Sequence, residues 1–426
     1  MTLRLLAVGD LHLGRRPTRL PEALAGRLED FAPATAWQRT VDLAVRESVD
    51  AVVLAGDVVE SRHDYFEALP RLQAGVATLA QAGIQTLAVS GNHDVDVLPR
   101  LIDRVPDARL LGRNGRWESI VLTAASGEQA TLWGWSFPTA SFRSSPLDDL
   151  PRDRGAGPHL GLLHCDRDQT GSPYAPVTAG ALRDAGLDAW LLGHIHQPDA
   201  LGIDHPRGYL GSVVGLDAKE TGARGPWVLE IDAGRIQRFD HRPLAPLRWE
   251  VLGVDLTGAS DEATVTQRLD TRLETLAGTL AARREQPDLI GLRLRLTGEC
   301  ALGASAIEAA LPAAERLLGL PGARTIDWFL ESWRLDTRPI TPLERLAERD
   351  DPPGLLAQRL LILQRDPDDP EREALLAAAE KHLQGRRDSP RWEQLPGDRP
   401  SRETLAETLR ETGQHALRVM LAQEQA

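Results

Sequence analysis

The chain has 426 residues, 42% of them hydrophobic, with a net charge of −13; it is too long for one ordinary domain and has ample apolar side chain for a sizeable core. The acidic balance argues against a generally basic protein that coats nucleic acid and leaves only a local patch for any such contact. No apolar run is long enough to span a membrane, the first residues read as a strand with no signal peptide, and Cys165 and Cys300 fit neither a disulfide framework nor a CxxC zinc site, so a reducing cytoplasm is the expected compartment.

From Met1 to about Arg242 strands and helices alternate, which predicts an α/β region around a mixed sheet. The first strand, LRLLAV, runs into Gly9-Asp10-Leu11-His12. A helix follows from about Thr35 to Ser48, with Trp37, Val41, Ala44 and Val45 on one side. The strand AVVLAG then ends at Asp57. A second helix, Tyr65 to Gln81, places Phe66, Leu69, Leu72, Val76 and Leu79 on one side. The strand TLAVSG delivers Asn92 and His93, and Trp117 to Ala124 with Gln129 to Trp135 read as a strand pair turning at Ser126-Gly127. HLGLL ends at His164, and AWLLG ends at His194 and His196.

A proline-marked joint at Pro243 to Pro246 opens a second region, 247–340. Strand-like RWEVLGVDLT, a helix from Asp261 to Arg284, strand-like LIGLRLRLTG, a helix near Ser305 to Leu318 and strand-like TIDWFLESWRL predict a smaller α/β domain. From about Thr341 to the end, 341–426, the pattern is helical, with Leu355, Leu356, Leu360, Leu361 and Leu363 in one stretch. A proline-rich link, SPRWEQLPGDRP, precedes a last helix with Ser401 as its N-cap.

Five apolar strands that each stop at His, Asp or Asn predict one pocket lined by metal ligands. Two divalent ions roughly 3.5–4 Å apart would suit hydrolysis of a phosphoester, and a carboxylate shared between them is required; Asp57 is the candidate. Asp10, His12 and one of the two C-terminal histidines would complete one position. Asn92, His164 and the other histidine would complete the second. Nitrogen and oxygen ligands without thiolate favour manganese first, with magnesium, iron or zinc as alternatives. His93, next to a ligand, is placed for charge or proton work on the leaving oxygen, with Asp94 to hold its ring. Arg15, Arg16 and Arg19 follow the first motif, where they either meet a DNA backbone or form a solvated basic loop.

These motifs, Gly9 to His12, Gly56-Asp57, Gly91 to Asp94, His164 and Gly193 to His196, resemble the series of calcineurin-like metallophosphoesterases. The segments LLHCD before PYAPVT and GHIHQPD before YLGSVVGLDAKETGARGPWVLEID look like bacterial DNA repair exonucleases of the SbcD type, in particular the YhaO-like branch, over about residues 1–260. The resemblance implies a four-layer αββα sandwich over residues 1–242, a capping domain over 247–340 that helps bind DNA, and manganese-dependent cleavage of DNA. It pairs Asp10, His12, Asp57 and His196 at one metal, and Asp57, Asn92, His164 and His194 at the other, with His93 catalytic. It also implies an SMC-like ATPase partner and leaves a homodimer open; the apolar stripes of the C-terminal helices, 341–426, either pack on the body of the protein or let the last helix dock that partner. Some members carry a histidine three residues after the shared Asp, where this chain has Glu60. Two other readings share these residues: a phosphodiesterase or phosphatase for small nucleotides, and a non-catalytic scaffold for the ATPase.

Overall fold

The structure is a computed structural model that describes residues 2–283, 285–339, 343–387 and 401–424. The expected boundary at residues 340–341, the link 389–400 and the expected helix end at Arg284 lie outside the described residues. The chain divides into two compact units, Met1–Gly298 with Leu302–Thr337, and Glu299–Ala301 with Arg338–Ala426.

In the first unit two mixed sheets stack face to face. The six-stranded sheet runs in the order Arg235–His241, Trp227–Asp232, Leu3–Val8, Ala51–Ala55, Gln85–Val89, Ala108–Leu110. Its last four strands are parallel to one another, and Leu3–Val8 pairs antiparallel with Trp227–Asp232. The five-stranded sheet runs Glu118–Thr123, Gln129–Trp135, His159–His164, Ala189–Gly193, Arg207–Tyr209, antiparallel only in its first pair. That first pair is the hairpin expected from the alternating pattern.

Strand alternation decides the layers. Leu3, Leu5 and Ala7 with Val53 and Leu87 face Leu132, Leu160, Leu162 and Leu191 across the gap between the sheets. Leu6, Val8, Val52 and Leu54 face the other way, onto helices Pro33–Arg46 and Tyr65–Gln81. On the opposite outside, Trp133, Trp135, Leu163 and Trp190 are covered by the short helix Ala179–Asp184 and its loops. These are the four layers expected, with a thinner second helical layer. Both faces of the central parallel strands are buried, which is why they read as unbroken apolar runs.

The two outer helices lie within two residues of their expected bounds. Trp37 fits against Gly75, where a Cβ would collide with its indole, and its Nε1–H donates to the Arg71 carbonyl at 3.2 Å. Two expected core residues face outward instead. Phe66 is 85% exposed and Val45 38%, because the buried lines are Ala68, Leu72, Val76, Leu79 and Ala36, Trp37, Val41, Ala44.

A third sheet, ordered Leu247–Asp255, Leu289–Cys300, Ala323–Pro339, Leu318–Leu320, backs onto helix Glu262–Ala281 through Val265, Leu269, Leu273 and Leu280. Asp261 caps that helix by accepting the Thr264 N–H at 2.7 Å. The helix expected near Ser305 to Leu318 is only Ala304–Ala310, and a short strand, Leu318–Leu320, begins at its last residue. Leu244, Leu247, Trp249, Leu289 and Phe329 share one core cluster with the helices of the sandwich, so apolar packing runs unbroken through the Pro243–Pro246 joint.

The second unit contains helices Leu343–Leu346, Pro352–Ile362, Pro370–Arg387 and Arg402–Glu424. Leu343, Leu346, Ala357, Leu360 and Leu417 form one small core; Leu363, Leu376, Leu405 and Ala406 form another. Ser401 Oγ accepts the Thr404 N–H at 3.1 Å, the N-cap expected from the sequence. Among the described residues no helix is long and apolar enough to cross a membrane.

Candidate metal centre

All five strand-end motifs leave the sheets at the same edge. Asp10 and His12 follow the first strand, Asp57 the second, Asn92 the third; His164 closes one strand of the facing sheet, and His194 and His196 follow its neighbour. Close approach explains the glycines before several of them. A Cβ on Gly91 would collide with the Asp57 carboxylate, and one on Gly193 with the Ala55 carbonyl. Several of the left-handed non-glycine residues are candidate ligands: φ is 30° at Asp10, 50° at His12, 46° at Asp57 and 102° at His194. Left-handed conformations on histidine are costly and collect at functional sites.

Two groups of side chains converge here. The donor atoms of Asp10, His12 and His196 lie within 4.8 Å of one another, as do those of Asp57, His164 and His194. Asn92 joins the second group, its Oδ1 3.1 Å from His164 Nε2, while Asp57 Oδ2 is 3.3 Å from His164 Nε2 and 4.0 Å from His12 Nε2. Asp57 therefore lies between the two groups.

Each histidine has an oxygen beside one ring nitrogen. His196 Nδ1 is hydrogen-bonded to Glu220 Oε1 at 2.8 Å, and His12 Nδ1 lies 2.7 Å from Glu60 Oε2 in an ion-pair contact without hydrogen-bond alignment. His164 Nδ1 faces the Ala55 carbonyl at 3.1 Å, and His194 Nε2 faces Asp166 Oδ1 at 3.1 Å. Such partners fix the tautomer and leave the other nitrogen's lone pair free for a metal. His12 Nε2 and His196 Nε2 lie 3.0 Å apart, a hydrogen-bond contact whose donor depends on the tautomer, and with Asp10 the two nitrogens could hold an ion. Asp10 Oδ2 is buried beside them without a hydrogen-bond partner. The donor set fits divalent ions on both counts.

Charge in the pocket is arranged to match. Burial opposes ionisation of Asp57, but His164, His12 and His93 together hold its carboxylate well below the usual range. Burial likewise opposes charge on His164, yet Asp57 and Asp10 push it up to about 9. A metal would take over the role of that proton. Burial and the neighbouring His164 push His194 down.

His93 is exposed at the rim, its ring edge-on to His12 at 5.5 Å. Asp94 corrects one expectation. Its carboxylate turns away from the His93 ring: Oδ1 accepts the Gly91 N–H at 2.8 Å and Oδ2 the Val58 N–H at 2.7 Å. Fully buried, it stitches the loops after the second and third strands together. Burial, then Asp57, pushes its pKa up to about 7.

The three expected DNA-contact arginines lie beside carboxylates. Arg19 Nη1 is 2.7 Å from Glu331 Oε1, Arg15 Nη1 is 3.8 Å from Glu60 Oε2, and Arg16 lies between Glu29 and Glu67. Sequence reasoning noted Glu60 without placing it beside His12, and missed Asp166, Glu220 and Arg224. Asp166 stands two residues after His164, a detectable signal, but Glu220 is 24 residues beyond His196 and carries none. The buried Arg224 donates to the His196 carbonyl and, at 2.9 Å, to Gln197 Oε1, holding the last ligand loop.

Two clusters of His and carboxylate donors at the mouth of an αββα sandwich define a metallophosphoesterase. Residues 3–198 match the family profile of calcineurin-like phosphoesterases, and the chain carries a calcineurin-like metallophosphoesterase domain. Over 347 residues it is 26% identical to the metallophosphoesterase YhaO of Bacillus subtilis, covering 78% of this chain and 77% of that one. It is 31% identical over 278 residues to the DNA double-strand break repair protein Mre11 of Haloferax volcanii, covering 62% of this chain and 58% of that protein. To the protein of the same name from Halobacterium salinarum it is 28% identical over 278 residues, with 63% and 67% covered.

Proposed function

We propose that the chain is a two-metal nuclease that hydrolyses phosphodiester bonds of DNA. The observation that carries the chemistry is the pair of donor groups flanking Asp57, each histidine with an oxygen beside one ring nitrogen. In this reading Asp10, His12 and His196 hold one ion, Asn92, His164 and His194 the other, and Asp57 both. Bound there, divalent ions neutralise charge on a phosphate oxygen and make a water more acidic; manganese suits the nitrogen and oxygen donors.

His93 does the remaining proton work. Its backbone N–H is tied to Asp57 and its ring is open to solvent, so it reaches an oxygen leaving a phosphate seated over the site. DNA as the substrate draws its support from the two archaeal relatives, whose names describe double-strand break repair. In the same reading residues 247–340 cap the DNA, arginines 15, 16 and 19 exchange their carboxylates for phosphates, and the last helix docks an SMC-like ATPase.

The test is manganese-dependent digestion of end-labelled linear and circular DNA by the wild type, His93→Ala and Asp57→Ala. Cleavage by the wild type alone is expected. Turnover of a small chromogenic diester without any cleavage of DNA would move the function to small nucleotides.

A further inference from the structure

The two metal positions are not equivalent in what stands behind their ligands. Behind the imidazoles of the first position are two carboxylates, Glu60 at 2.7 Å from His12 Nδ1 and Glu220 at 2.8 Å from His196 Nδ1. Both are partly shielded, with side-chain exposures of 28% and 15%, and Glu220 is itself pinned by the Leu216 N–H at 3.0 Å. At the second position His164 is backed by a neutral carbonyl, that of Ala55, and only His194 has a carboxylate, Asp166. Among the ligands the contrast repeats: Asp10 belongs to the first position, the neutral Asn92 to the second. Leaving aside the shared Asp57, three carboxylates serve the first position and one the second.

A carboxylate behind an imidazole makes the ring a stronger donor and fixes the nitrogen that faces the metal, and its removal typically costs about 10–100-fold in metal affinity. Resting on the two-metal reading above, we infer that Glu60 and Glu220 are positioning residues that rank the two sites. The ion held by Asp10, His12 and His196 binds first and is retained, and the ion held by Asn92, His164 and His194 binds second and exchanges. The working protein is then made from a one-metal resting form by the metal level around it. Glu60 has a defined task in this scheme, at the position where some relatives of the first-noted resemblance place a histidine.

Titration of the metal-free full chain with Mn2+, followed by the electron paramagnetic resonance signal of free manganese and by calorimetry, tests the ranking. Two steps of one ion each, separated by about tenfold or more in affinity, are expected. Glu60→Gln and Glu220→Gln each weaken the first step by about 10–100-fold and draw the two steps together, Asp166→Asn weakens only the second, and Asn92→Ala removes the second and so assigns it. Melting temperatures of the metal-free variants equal to the wild type show that the loss is in ligand placement rather than folding. Two ions of equal affinity in the wild type, or glutamine variants with an unchanged first step, overturn the ranking and leave the two-metal reading standing. A wild type that takes up no ion overturns both.

Discussion

The backbone N–H of His93 donates to Asp57 Oδ1 at 3.0 Å. The residue proposed for proton work and the carboxylate proposed to join the metals are thus held at a fixed separation, and substitution separates their roles. His93→Ala is expected to keep its manganese and lose about 10²–10⁴-fold in turnover. Asp57→Ala is expected to lose manganese as well. Metal content per chain, measured beside rate, checks both.

Asp94 holds two buried backbone donors, so its loss is a stability defect first. Asp94→Ala leaves the Gly91 and Val58 N–H groups without their acceptor, at about 1–3 kcal/mol for each. Urea denaturation should show a lower midpoint with an unchanged slope. Unaltered stability with a lost rate would instead return Asp94 to the His93 ring.

Metal removal should soften the protein. Asp10 Oδ2 is buried without a partner beside the Nε2 atoms of His12 and His196, so a bound ion would supply the partner this oxygen lacks. At a free metal concentration of 100 times Kd, binding contributes about 2.7 kcal/mol. Differential scanning calorimetry should show a higher Tm with Mn2+ than with chelator, and the difference should shrink in Asp10→Ala.

Gly193→Ala drives a methyl into the Ala55 carbonyl beneath the last ligand motif. Overpacking of this kind costs about 1–3 kcal/mol. Because His194 is the next residue, the second manganese is expected to be lost before the fold is. Calorimetry and metal content on the same sample separate the two effects.

Trp249 is fully buried; its ring is edge-on to Phe329 at 5.7 Å and its Nε1–H donates to the Gly215 carbonyl at 3.0 Å. Trp249→Ala is expected to cost about 3–5 kcal/mol. The sandwich and the third sheet should still unfold together, since they share that core; far-UV circular dichroism and tryptophan fluorescence should report one common transition for the first unit.

The strands of the sandwich were readable because burial on both faces makes them continuous apolar runs, and the ligands because each follows such a run. Helix Tyr65–Gln81 was readable in extent but not fully in facing: Phe66 lies one position off the buried line of Ala68, Leu72, Val76 and Leu79, along which Gly75 admits the Trp37 ring. Asp94 was misread because proximity in sequence to His93 carries no information on where a carboxylate turns. Glu220 and Arg224 escaped notice because a charged residue in a loop has no periodicity; its partner His196 is defined only once the chain has folded back.

The positive φ angles at Asp10, His12, Asp57 and His194 have an evolutionary consequence. Glycine would occupy each of these positions more comfortably than the ligand does. At Asp57 and Asp10 that relief has a counterweight, because their carboxylates accept the His93 and His194 N–H groups; a glycine there trades backbone strain for a lost acceptor, so drift away from these residues is held back by the loops they tie together.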